Sequence, residues 1–136
     1  MGFDFAWLLG LRYQALVREE YSWHFSFAAG ASLVAECPWR IIADGRIALG
    51  SVDDQQPFGL PAPVDAQVVA GELLRGRQVT AVDVLPASAD LVLAFDGDRH
   101  LQLFNNSSGY EGWTLTSPHG RRFIAQGGGR LVSFDG

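Results

Sequence analysis

Tyr21-Ser22-Trp23-His24-Phe25-Ser26-Phe27, followed by the small residues Ala28 to Ala31 and then by Leu33 and Ala35, is the stretch that sets the fold class. Rings take every second position and small polar or imidazole groups sit between them, a period of two that belongs to a strand with one buried face. The small residues make a hairpin turn, and residues 33–37 return until Pro38, which has no N–H for a ladder. The plan recurs: Leu91, Leu93 and Phe95 alternate with smaller residues, Asp96-Gly97-Asp98 turns the chain, and Leu101 and Leu103 follow. Phe25 and Leu93 are 68 residues apart, as are Leu33 and Leu101, whereas Trp39 and Trp113 are 74 apart. The register thus holds across the hairpin and slips by six before the Trp, the inserted residues being 105–110. A duplicated β-meander accounts for this pattern.

Working outward, residues 11–18 read as a strand. Residues 3–9 fit either a strand or a short helix with Phe3 and Trp7 one turn apart, and Gly10 is the expected break. Residues 40–43 and 46–49 make a hairpin around Asp44-Gly45. Residues 51–64, with Pro57, Pro61 and Pro63, read as a long loop, and Asp65 caps a helix over 66–75 that Gly76 stops. In the second half, 78–84 corresponds to 11–18. Residues 91–95 and 100–104 make the hairpin, 113–116 and 122–125 flank His119-Gly120, and 131–134 adds a last strand after Gly127-Gly128-Gly129. The expected fold is α+β and mostly antiparallel β: two four-stranded β-meander repeats related by a pseudo-twofold, as a sandwich or rolled sheet, with one connecting helix. The chain, 1–136, is expected to be a single domain, with pseudo-repeats about 9–50 and 74–126 joined by loop 51–64 and the helix.

Aromatic residues make up 12% of the chain, which suits pleated surfaces, while charged residues make up only 18%, below the usual quarter or so. Low charge with open strand edges fits a homodimer. The net charge of −5 argues against nucleic acid as a partner and suits a basic protein. The single cysteine, Cys37, allows no intrachain disulfide, and the longest apolar run is too short to span a bilayer. A cytoplasmic protein with no membrane role is the expectation.

His24 lies on the polar face of its strand, and a cross-strand Glu36 is the one carboxylate offered to it as a general-base partner. His100 and His119 fall near turns, and no His or Cys spacing suits a metal. Asp96-Gly97-Asp98 is explained by its hairpin turn and lacks the further ligands of a calcium loop. Cys37 reads as a small core residue, and no nucleophile elbow, phosphate loop or dinucleotide fingerprint occurs. No catalytic residue, metal or cofactor is therefore expected. Trp39 and Trp113 read as core pillars. Phe58 and Tyr110 fall in loops that strand periodicity does not explain. With Asp53, Asp54 and Glu111 as acidic neighbours, and Asn105 and Asn106 in the inserted loop, they form the candidate partner-binding set.

Residues 90–95, 101–104 and 110–115, together with Cys37-Pro38-Trp39-Arg40-Ile41, resemble small uncharacterised bacterial domains, some of them toxin-immunity proteins. The resemblance implies a bacterial, cytosolic, non-enzymatic β-rich protein and carries no catalytic residues. The leading functional expectation is a protein-binding module, in one form an immunity-type inhibitor. The alternative is a small-molecule-binding β domain, and the third is a hydrolase or isomerase using His24 and Glu36.

Overall fold

The computed structural model describes residues 3–135. Among the described residues, eleven antiparallel strands form two sheets whose inner faces pack on each other, accompanied by one α-helix. The first half supplies β1 (Tyr13–Arg18), β2 (Trp23–Phe27), β3 (Ser32–Ala35), β4 (Trp39–Ala43) and β5 (Arg46–Gly50). Helix α1 (Ala66–Leu74) follows. The second half supplies β6 (Val79–Val84), β7 (Leu91–Phe95), β8 (Arg99–Leu103), β9 (Trp113–Thr116), β10 (Arg122–Gln126) and β11 (Arg130–Phe134).

The halves do not keep to separate sheets. The six-stranded sheet runs β1-β2-β3-β9-β10-β11 and the five-stranded sheet runs β5-β4-β8-β7-β6. The expected four-stranded meanders are thus corrected: each half makes a three-stranded meander and gives its next hairpin to the sheet of the other. Residues 36–38 separate β3 from β4, and Pro38, which has no N–H for the ladder, marks the point where the chain crosses to the facing sheet.

The alternation read from the sequence sets the buried face. Phe25, Leu33, Ile41, Leu91, Leu93, Leu101, Leu103, Trp113 and Leu115 are completely buried in one cluster drawn from both sheets. Trp39 meets Trp23 and Phe25 across the interior with ring centroids 5.2 Å apart, and Phe27 stacks on Phe95 at 6.4 Å. Tyr21 was grouped with these rings by its spacing, yet it lies outside β2 and is exposed, because the Glu19 N–H closes a turn onto the Ser22 carbonyl.

Residues 6–8 form a 3₁₀ turn, so the helical alternative holds for the start of the chain, and Gly10 breaks it at φ +86°. One corner joins the sheets. Gly10 N–H donates to the Val79 carbonyl and Val79 N–H to Leu11, while Gly76 N–H donates to Tyr13 and Tyr13 N–H to Arg77. Helix α1 is capped by Asp65, whose carboxylate accepts from Gln67 and Val68, and it packs mainly on β1. At its other end Arg77 and Arg99 both donate to the Leu73 carbonyl and Arg12 to Gly76, placing cations on the negative pole.

The two Trp pillars differ in one bond. The Trp113 Nε1–H donates to the Ala89 carbonyl at 2.8 Å, whereas the buried Trp39 Nε1 has no partner. Both lose the same volume on substitution by Phe. Trp113→Phe is therefore expected to cost about 1–2 kcal/mol more than Trp39→Phe in urea unfolding, because only the former strands a carbonyl. Equal losses would mean that this bond contributes nothing.

Candidate functional site

The pairing registers define two ends. One ladder row runs Arg18, Trp23, Ala35, Trp113, Ala125, Leu131, and its counterpart in the other sheet runs Val84, Leu91, Leu103, Trp39. The Trp23–Trp39 contact puts both rows at the same end. The connections leaving that end are residues 19–22, 36–38, 51–65, 85–90, 104–112 and 127–129. They carry Glu19, Glu20, Glu36, Asp53, Asp54, Asp65, Asp90 and Glu111, against Arg18, Arg40 and Arg130 on the strands. All ten basic residues are arginine, and the other seven belong to the opposite end or to the turns around α1 and β6.

Three rings stand out from this acidic end: Tyr21 at 82% exposure, Phe58 at 62% and Tyr110 at 83%. Leu60 is exposed two residues after Phe58, and Val52 is exposed near the start of the same loop. Each ring is held by a braced loop. In the 51–65 loop, Gln55 N–H donates to Val64 and Val64 N–H to Gln56, closing the base. At its tip Phe58 and Gly59 take φ of +43° and +72°, and the Leu60 N–H donates to Pro57. A left-handed aromatic residue is uncommon and strained, so this turn projects Phe58 instead of packing it. In the 104–112 loop, the Ser107 hydroxyl accepts from Gly109 and Tyr110, and its carbonyl accepts from Gly128.

The seven candidate residues therefore divide. Phe58, Asn106, Tyr110 and Glu111 are exposed. Asn105 is buried, which corrects its place in a surface set: its Nδ2 donates to the Ser88 and Gln126 carbonyls and its N–H to Asp90. Gly112 is packed so closely on it that a Cβ there would collide with the Asn105 amide. Asp53 and Asp54 are likewise spent inside the fold. Asp53 accepts from the Gly50 N–H, while Asp54 accepts from Ala66 and pairs with Arg18 at 2.7 Å. Arg18 also lies over the Trp23 ring at 4.9 Å, so this pair ties the 51–65 loop to the core. Burial works to raise the Asp54 carboxyl, but the Ala66 N–H and the Arg18 guanidinium outweigh it and hold it below the ordinary carboxylate value. Tyr21 was missed; its signal was Glu19-Glu20, a charged pair marking the turn just before it.

His24 does not meet Glu36. It is opposite Val17 and Val34 in the ladders and pairs with Glu19 at 3.1 Å, with both side chains half exposed. Glu36 lies beyond the end of β3, where its N–H donates to Gly112. Burial pushes the Cys37 thiol up to about 12, with Asp90 adding to the effect, so it stays protonated at neutral pH. Among the described residues no group of three or more His, Cys, Asp or Glu is placed to hold a metal, and no helix is long and apolar enough to cross a membrane. No family model matches the chain, and no curated protein or solved structure is detectably similar to it.

Two outcomes test this division. A lowered carboxylate stabilises the fold above its unfolded value near 4 and loses that contribution as pH falls through the folded value. The stability advantage of the wild type over Asp54→Asn is thus expected at pH 7 and to fall away as the pH is lowered below about 4 in urea unfolding. Phe58→Gly, which relieves the left-handed strain, is expected to leave the melting temperature unchanged or higher, whereas glycine at an ordinary loop position costs about 0.5–1 kcal/mol.

Proposed function

We propose that the protein is a non-enzymatic binding module that occupies a basic protein partner through its acidic, aromatic end. The observation that carries this is the emergence of Tyr21, Phe58 and Tyr110 from three separate braced loops, all at the end that also presents Glu19, Glu20, Glu36 and Glu111. Exposed rings supply the anchor area of an interface, and the carboxylates steer and orient a cationic partner. An immunity-type inhibitor, which masks a basic toxic enzyme, is one form of this reading. It agrees with a cytoplasmic bacterial setting.

We further infer that the two halves are copies related by a pseudo-twofold. The strand orders β1-β2-β3-β9-β10 and β6-β7-β8-β4-β5 correspond one to one. Register irregularities fall between Tyr13 and Ala15 and between Val79 and Ala81, 66 residues apart. The corner hydrogen bonds exchange under the same shift, Gly10 to Val79 matching Gly76 to Tyr13. Against that common plan the nine-residue link 104–112 replaces the three residues 36–38, so Tyr110 and Glu111 belong to the part that only one copy carries. This asymmetry supports a specific role for that loop.

The test uses the tagged full chain as bait in a lysate of its source organism. A basic protein is expected to be retained in stoichiometric amount at low salt and released at high salt, and the double variant Tyr110→Ala, Glu111→Lys is expected to weaken its affinity by about tenfold or more. A partner whose affinity stays within about twofold in that variant and in Phe58→Gly defeats the assignment of this end.

A further inference from the structure

Strands β6 and β11 are open edges that flank a slot of about 530 Å³, walled by Phe3, Phe5, Val82, Val84, Leu85 and Leu131. The slot lies at the seam of the two sheets and reaches the acidic end, since Leu85 starts the 85–90 turn and Leu131 belongs to the same ladder row as Trp113. The outer side of β6 brings unpaired backbone groups to this edge. Leu85 N–H donates to the Asp90 carbonyl, so residues 81, 83 and 85 direct their backbone groups at β7. Val82 and Val84 therefore turn theirs outward, and among the described residues nothing bonds them there. Strand β1 shows what such an edge takes. Arg18 ends β1 as Val84 ends β6, and its outward N–H is met by the Gln67 side chain of α1 at 2.8 Å. Beside Val84, among the described residues, no helix is seated.

We propose that this slot binds an extended segment of the partner, which adds a strand to the outer edge of β6. Its alternate apolar side chains enter between Val84 and Leu131, and its Val82- and Val84-facing backbone groups complete the ladder. Charge sets the flanks: exposed Asp83 stands on the β6 rim and Glu111 on the neighbouring 104–112 loop, against Arg130 at the start of β11, so lysine or arginine borders the apolar stretch on the β6 side. The inference rests on the protein-binding reading above and places a second, distinct contact beside Tyr110.

The probe is a display library of peptides about ten residues long, alternating apolar and randomised polar positions between flanking lysines, panned on the full chain. Enriched peptides are expected to bind about tenfold more weakly to Val84→Pro and to Leu131→Arg, and about tenfold more weakly when N-methylated on alternate residues. Proline at position 84 removes only an outward N–H and leaves the β6–β7 bonds, the placement that edge strands accept. Should that variant fail to fold, the methylated peptides and Leu131→Arg decide. Failure to enrich any peptide, or equal binding of methylated and unmethylated forms, overturns the slot. Binding lost in Tyr110→Ala, Glu111→Lys but unchanged in Val84→Pro also overturns it while leaving the acidic end standing. The reverse pattern supports the slot and removes Glu111 from its flank.

Discussion

The three-residue passage from Ala35 to Trp39 is the constraint on which the rest of the molecule depends. Pro38 within it has no N–H for a continued ladder, and there the chain steps to the facing sheet. That step drives Trp39 under Trp23 and Phe25 and brings β4 against β8. The second half makes the matching step with a longer link and brings β9 against β3. Each sheet is therefore completed by the other half, and one continuous core results. The same geometry gathers the sheet-changing links and the long loop to α1 at a single end.

At that end, charge and structure are separated. The acids that lie deepest are consumed by the fold: Asp54 on Arg18 and Ala66, Asp53 on Gly50, Asp90 on Asn105. Those on the rim stay in solvent, as do the three rings. The loops that lift the rings are stiffened by short-range bonds, through Val64 for Phe58 and through Ser107 for Tyr110. Under the proposed reading, a partner would meet groups already placed, which lowers the ordering cost of association. Strain at Phe58 is the local cost of projecting an apolar ring that the core does not need.

The period-two runs made the strands and the buried face legible before any coordinates: the rings at 23, 25 and 27 and the leucines at 91, 93, 101 and 103 all point inward. Asp65 and Gly76 bounded the helix for the physical reasons that make them a cap and a stop. Sheet membership was not legible, because a hairpin's pattern is the same whichever sheet receives it. At the site, Phe58, Tyr110 and Glu111 could be read as loop residues that periodicity left unexplained. Asn105 could not, since a buried amide whose Nδ2 donates to two distant carbonyls has the same letter as a solvated one. Tyr21 failed for the opposite reason: it keeps the strand's spacing but lies in the turn.

The central claim is that one end of the protein is its working surface. Site-specific photo-crosslinking tests it most directly, with a photoreactive phenylalanine placed at Tyr110 in one chain and at His119, in the turn between β9 and β10 at the far end, in another. In lysate, the account predicts one discrete covalent adduct with a basic protein from position 110 and none from position 119. An adduct from position 119 alone would contradict it and move the functional surface to the arginine-bearing end.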